Sequence, residues 1–241
     1  METSTLSKID LRKNLIINLV KQKGIENQKA QVVLVLDKSG SMRPLFNDGR
    51  VQETLERLVP LAMQFDDNGE MELYLFDHDC VKHGNPVTVN NVNGIVKREL
   101  MKYDFGSTKY ANPIRMIRED YFPAAKKGFL GFGKSQGSSG PAELPVYVIF
   151  ITDGANEDKS ATEAILKEVS NYGAFFQFVG IGDAKLEFLE KLDNLDGRLV
   201  DNANFFQIKD LSKLSDQELY AKLLGEFPQY LPLAKAKNLI K

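Results

Sequence analysis

Asp37, Ser39 and Ser41 alternate with other residues in Asp37-Lys38-Ser39-Gly40-Ser41, directly after the apolar run Val32 to Leu36. A second apolar run, Val146 to Ile151, ends likewise in Thr152-Asp153-Gly154, and the polar triplet Gly106-Ser107-Thr108 lies between the two in sequence. Carboxylate and hydroxyl oxygens without His or Cys suit a hard cation such as Mg²⁺, Mn²⁺ or Ca²⁺. Largely neutral ligands leave such an ion most of its positive charge. It then binds weakly by itself and accepts an external carboxylate strongly. That is the chemistry of docking, with the ion as part of an interface.

Elements must bring these residues together. The two apolar runs are short, continuous and rich in β-branched residues, as parallel strands covered on both faces are. Met71 to Phe76, Ala174 to Val179 and Asn204 to Ile208 are further strand candidates, and Val81 to Val89, which crosses Gly84 and Pro86, suits an antiparallel edge. Helical patterns alternate with them. Val51, Leu55, Leu58, Val59 and Ala62 recur at helical spacing, with Pro60 expected to kink the helix. Asn112-Pro113 reads as a cap and first-turn proline, Ser160 to Ser170 as a helix ended by Gly173, and Asp183 as the cap of a short helix. Ser215-Asp216-Gln217-Glu218 is a capping box. Residues 6–24 fit a helix or a strand, with a solvated basic face preferred over a membrane-binding one. Such alternation predicts an α/β doubly wound, mostly parallel sheet with helices on both faces. Ligands of such sheets bind beyond the carboxyl ends of the strands, where Asp37 and Asp153 would converge and Gly40 would let the loop turn.

Other chemistries compete for the same residues. Asp37, Ser39 and Ser41 alone could be a capped turn at a strand-to-helix junction. The addition of Thr108 and Asp153 argues against that. Asp37 could also be the nucleophile of an Mg²⁺-dependent phosphohydrolase, but such enzymes place a second aspartate where Ser39 stands. Gly128-x-x-x-x-Gly133-Lys134-Ser135 matches the P-loop expression. Its surroundings, Pro123 before and Gly137 to Pro141 after, forbid the strand and helix that the mechanism needs. Asp77, His78, Asp79, Cys80 and His83 could gather a metal, yet polar residues are expected in a turn before an edge strand. Cys80 reads as an inert thiol.

The set Asp37-x-Ser39-x-Ser41, Thr108, and Asp153 followed by glycine resembles the metal-ion-dependent adhesion site (MIDAS) of von Willebrand factor A (VWA) domains. The resemblance implies that Ser39, Ser41 and Thr108 contact the metal directly. Asp37 and Asp153 would do so directly or through water, and a partner's Asp or Glu would complete the shell. Phe65 to Glu70, Val200 to Phe206, Leu219-Tyr220 and Leu223 to Pro228 are similar to the bacterial tellurium-resistance (TerF-like) subgroup, itself similar to copine A domains. That implies a bacterial protein of a tellurite, toxic-anion or general stress response, without implying contact with tellurite.

Composition agrees with an ordinary globular chain: of 241 residues, 43% are hydrophobic and 27% charged, which excludes wholesale disorder. A net charge of −2 argues against a nucleic-acid binder. No apolar run approaches the ~20 residues that span a bilayer, and the start METSTLSKID lacks a signal-peptide h-region. One cysteine forms no internal disulfide. A cytoplasmic, non-catalytic interaction module is therefore expected. It would have an N-terminal helical extension (1–28), a VWA domain (29–210) with a Gly/Ser-rich insertion (126–144), and a C-terminal helical extension (211–241).

Overall fold

Unbroken apolar strands can only be covered on both sides, and the sheet is built that way. The computed structural model describes residues 2–123, 141–154, 156–210 and 213–241, with the backbone alone for 2–6. Six strands, β1 (Gln31–Asp37), β2 (Met71–Phe76), β3 (Cys80–Lys82), β4 (Val146–Thr152), β5 (Ala174–Ile181) and β6 (Ala203–Ile208), form one sheet in the order β3-β2-β1-β4-β5-β6. All neighbours are parallel except the β2–β3 pair. The edge is shorter than Val81 to Val89: beyond β3 it keeps a bond from His83 N–H to the Leu73 carbonyl and an isolated bridge between Val87 and Met71.

The chain leaves β1 toward β2 and later returns to the other side of β1 as β4. The strand order therefore reverses between β1 and β4, and the crevice at their carboxyl ends is where ligands of open α/β sheets bind. Asp37 ends β1, and Asp153 follows the last residue of β4.

Side chains alternate between two cores. Val32, Leu34 and Leu36, with Tyr147, Ile149 and Ile151, face the layer of α1 (Glu2–Gln22), α3 (Arg50–Phe65), α8 (Asp216–Leu223) and α9 (Phe227–Ala236). Val33 and Val35, with Val148 and Phe150, face α5 (Ala111–Tyr121), α6 (Lys159–Val169) and α7 (Glu187–Asp193). Two short helices, α2 (Arg43–Asn47) and α4 (Ile95–Arg98), lie in the connections.

Local features bear out, sharpen or overturn the sequence expectation. Residues 6–22 fall within helix α1, which buries Ile9, Ile16 and Val20 in the first core, and Lys23 and Gly24 form a turn beyond it. Helix α3 runs through Pro60, which lacks the N–H that would reach the Glu56 carbonyl. Arg12 Nη1 donates to that carbonyl at 3.3 Å instead. Helix α5 starts before Asn112-Pro113, because the Asp158 carboxylate accepts from the backbone N–H of Tyr110 (2.9 Å) and Ala111 (3.1 Å). Asp183 caps nothing on α7; it pairs with Lys209 at 3.1 Å. The capping box at Ser215 and Glu218 forms in full. Residues 126–140 of the insertion, with the P-loop-like match inside them, lie outside the described residues. Among the described residues, no helix is long and apolar enough to cross a membrane.

Candidate metal centre

A carboxylate at the end of a central strand loses water on all sides and must find donors within the protein. Asp37 is fully buried. Its Oδ1 accepts from the Ser39 backbone N–H (2.6 Å) and its Oδ2 from the Thr152 hydroxyl (2.5 Å). Burial still pushes its pKa up to about 7; the hydrogen bonds from Thr152 and Ser39 oppose the rise, and the nearby Asp153 charge adds to it. Burial raises Asp153 as well, against a hydrogen bond from Ser41.

The hydroxyls turn toward this carboxylate pair. Ser39 stands at the N-terminus of a 3-10 turn, Gly40–Met42, but its side chain makes no capping bond there. Ser39 Oγ lies 3.0 Å from Ser41 Oγ, which donates to Asp153 Oδ1 at 2.7 Å. The capped-turn reading requires a Ser39 hydroxyl that serves backbone N–H groups, and this one joins a side-chain oxygen cluster instead.

Thr108 arrives from the loop before α5. The Gly106 carbonyl accepts from Gly40 N–H (3.0 Å), and Gly106 N–H reaches the Lys38 carbonyl (3.3 Å). Lys109 N–H then binds the Asp77 carbonyl (2.9 Å), and the Thr108 carbonyl accepts from Glu157 N–H (3.0 Å). The buried Thr108 is thus held between the ends of β2 and β4. A Cβ added to Gly154 would lie 3.3 Å from Thr108 Oγ1 and 3.8 Å from Ser41 Oγ, so both hydroxyls border the same small space. No hydrogen bond joins Thr108 to the other four residues; its place beside them rests on this proximity. Among the described residues no cluster of three or more His, Cys, Asp or Glu could hold a metal. Three hydroxyls with two carboxylates fit a hard cation of modest affinity rather than a thiolate- or imidazole-seeking one.

The sequence model of vWA-TerF-like domains, described as "vWA found in TerF C terminus", matches residues 29–240. The chain belongs to this family. The matched stretch of the vWA-TerF-like chain takes in α8 and α9 as well as the sheet. The chain is 37% identical over 240 residues to the uncharacterized protein YcbR of Bacillus subtilis (strain 168), covering 98% of this chain and 91% of that one. Among solved structures, the sheet and its helices resemble proximal thread matrix protein 1 of the mussel byssus, at TM-score 0.54 and 16% identity over 86% of this chain. The vWA-TerF-like chain spans about half of that mussel protein (48%). A second structure of the mussel protein, with a zinc-occupied MIDAS motif, matches at TM-score 0.53 and 18% identity, covering 81% of this chain and 46% of that one. The SpRpn10 VWA domain matches at 0.54 and 12% identity, covering 83% of this chain and 96% of that domain. These structural likenesses establish the VWA fold.

The other metal candidate of the vWA-TerF-like chain does not gather. His83 is buried, with Nδ1 3.0 Å from the Tyr103 hydroxyl and Nε2 3.0 Å from Glu99, so both ring nitrogens are engaged. Asp77 accepts from Asp79 N–H (2.8 Å) in a local turn. Burial, aided by the charge of Asp79, pushes the Cys80 thiol up to about 12.

Residues that the sequence left unremarked also shape the site. Thr152 supplies Asp37 with its hydroxyl hydrogen bond, and its position just before Asp153 was the available clue. Asp158 positions the start of α5, two residues beyond Thr108, from 48 residues away. Gly106, rather than Gly40, is the glycine that the loop demands. A Cβ there would overlap the Asp77 carboxylate and the His78 ring, whereas Gly40 has only the Gly106 carbonyl at 4.0 Å.

Proposed function

We propose that this chain is a non-catalytic interaction module that docks a partner protein's Asp or Glu through a divalent cation, Mg²⁺ in the first instance. Ser39, Ser41 and Thr108 would hold the ion directly, with Asp37 and Asp153 holding it directly or through water. The bound ion supplies a Lewis-acidic position for the incoming carboxylate. The chain's own residues hold that position ready. The Thr152 hydroxyl and the Ser39 N–H fix the Asp37 carboxylate, and Ser41 links Ser39 to Asp153. The observation that carries the reading is this continuous cluster of serine hydroxyl and aspartate oxygens at the strand-order switch. The zinc-occupied motif in a protein of the same fold supports it by analogy. Family membership supports placing the partner in a bacterial tellurium-resistance or general stress response.

The phosphohydrolase alternative needs an acid–base aspartate two positions after Asp37, and that position is Ser39. Metal titration by calorimetry, and capture of partners in Mg²⁺ against EDTA, test the proposal on wild type and Asp37→Ala. Loss of both activities in a folded Asp37→Ala is expected, with no Mg²⁺-dependent hydrolysis of a phosphomonoester or ATP by wild type. Retained Mg²⁺-dependent capture by Asp37→Ala, or turnover abolished in Asp37→Asn, would overturn it.

A further inference from the structure

Lys38 lies between Asp37 and Ser39 in sequence, yet its side chain is almost wholly buried, at 1% exposure. Among the described residues its Nζ has no hydrogen-bond partner. A buried ammonium without acceptors is costly, and such a group persists where something else depends on it. What it meets is aromatic. Nζ stands 3.2 Å from the centroid of the Phe105 ring and 4.7 Å from that of Phe46. The two rings meet edge to face at 5.4 Å, and the Arg43 guanidinium lies 4.3 Å from the Phe105 centroid. Phe105 is the residue before Gly106, whose backbone bridges to Ser39 and Gly40, and it is three residues before Thr108. Two loops that must supply hydroxyls to one ion are therefore joined at Lys38 twice, by its carbonyl to Gly106 N–H and by its ammonium to Phe105.

We infer that Lys38 is a positioning residue: its ammonium clamps the Phe105 ring and so holds the Gly106–Thr108 loop against the Asp37–Ser41 loop, preorganising Thr108 for the cation. A desolvated cation–π contact is of the right size for this work. Backbone bonds hold the loop at Gly106, Thr108 and Lys109, and the buried charge adds a side-chain hold at Phe105. Lysine suits the place for a second reason, because its long apolar stem fills the space between the loops while the charge reaches the ring. The inference rests on the metal reading above for its consequence, but the clamp exists without metal and can be measured separately.

The experiment uses the full chain with Mn²⁺ as the probe. Mn²⁺ affinity is measured by calorimetry, and hydrogen exchange at Gly106 N–H is followed in the metal-free protein. Lys38→Met keeps the stem and removes the charge. It should weaken Mn²⁺ binding about 10-fold and speed exchange at Gly106 by a similar factor, the scale of a contact of one to two kcal/mol. Lys38→Arg, which can still stack on the ring, should stay within about 3-fold of wild type on both measures. Phe105→Leu should reproduce the Lys38→Met loss, and the double variant should be no worse than either single one. Wild-type affinity and exchange in Lys38→Met, failure of Lys38→Arg to rescue, or multiplicative losses in the double variant would each overturn the clamp. Should Lys38→Met not fold, Phe105→Leu and Lys38→Arg carry the same test. Absence of Mn²⁺ binding by wild type would overturn the metal reading, while exchange at Gly106 would still decide on the clamp.

Discussion

Replacing Asp37 by Asn should destroy metal binding and yet stabilise the metal-free protein at neutral and alkaline pH. The folded chain raises Asp37 from 3.8 to about 7 by burying it. Between those two values the folded state binds a proton that the unfolded state has released. Stability therefore falls as pH rises through this window, and the cost of the buried charge is fully present above about pH 7. The gap corresponds to a ceiling of about 4 kcal/mol; relaxation around the site makes about 2–4 kcal/mol the expected range. Asparagine can be accommodated because the local hydrogen bonds can reverse. Its Oδ1 can accept from Ser39 N–H, and its Nδ2 can donate to Thr152 Oγ1. The Thr152 hydroxyl can then donate to the Tyr110 oxygen 3.2 Å away, while Tyr110 keeps its own bond to the Gly154 carbonyl at 2.6 Å.

Urea unfolding of wild type and Asp37→Asn, from pH 4 to pH 8 in EDTA, reads this contribution together with the change it makes in Asp153, whose charge is coupled to that of Asp37. The curves should coincide near pH 4 and diverge by about 2–4 kcal/mol at pH 8, with the variant more stable. Adding 10 mM Mg²⁺ at pH 8 should raise only the wild type. An affinity of about 1 mM would give roughly 1.4 kcal/mol, and proton competition should shrink the effect at pH 5. Parallel wild-type and variant curves across the whole pH range would refute the reasoning.

Further predictions concern the parts that hold the site. Gly106→Ala forces a methyl into the Asp77 carboxylate and the His78 ring, so it should cost about 1–3 kcal/mol in urea unfolding and weaken Mn²⁺ binding by displacing Thr108. Asp216 accepts from Arg12 Nε (2.9 Å) and from the buried Arg57 Nε (2.7 Å), tying α1 and α3 to α8. Asp216→Ala should cost about 2–4 kcal/mol, because Arg57 is left buried with its charge less well matched; chemical unfolding with unchanged Mn²⁺ affinity would show that the effect is structural. Cys80, whose thiol is pushed up to about 12, should react with a disulfide reagent at pH 8 at least 100-fold more slowly than a free cysteine, and rapid labelling of folded protein would contradict its burial.

The strands were legible in the sequence because a parallel strand covered on both faces has no polar face to interrupt it; β4 is buried at every position. The five oxygen-bearing residues were legible because each stands in a short local pattern at a strand end or within a polar loop. Features set by partners far along the chain were not legible. Asn112-Pro113 looks like a helix start, but the donors before it are satisfied by Asp158, and a residue 48 positions away leaves no local trace. Pro60 marks a kink site in the sequence, but that the Glu56 carbonyl it leaves free accepts from Arg12 of another helix is not readable there. Lys38 was hidden for the opposite reason: a lysine in a loop ordinarily belongs in solvent, and only the two phenylalanine rings make its burial intelligible.

Three costly features of the molecule share one location. Asp37 holds a carboxylate where burial favours its neutral form, Lys38 holds an ammonium with no hydrogen-bond partner among the described residues, and a Cβ at Gly106 would displace the Asp77 carboxylate and the His78 ring. The first would be improved for stability by an ordinary change, an amide. Together they lie within a few residues of Ser39, Ser41 and Thr108, above two apolar cores. Local violations concentrated at one sheet edge, above a consistent scaffold, are expected when a site is selected for something other than stability. On the proposed reading, a divalent cation would relieve the first of these costs by pairing with the Asp37 charge. The buried carboxylate would thus be a reason for the fold to respond to metal, and the pH dependence of that response would be its measurable signature.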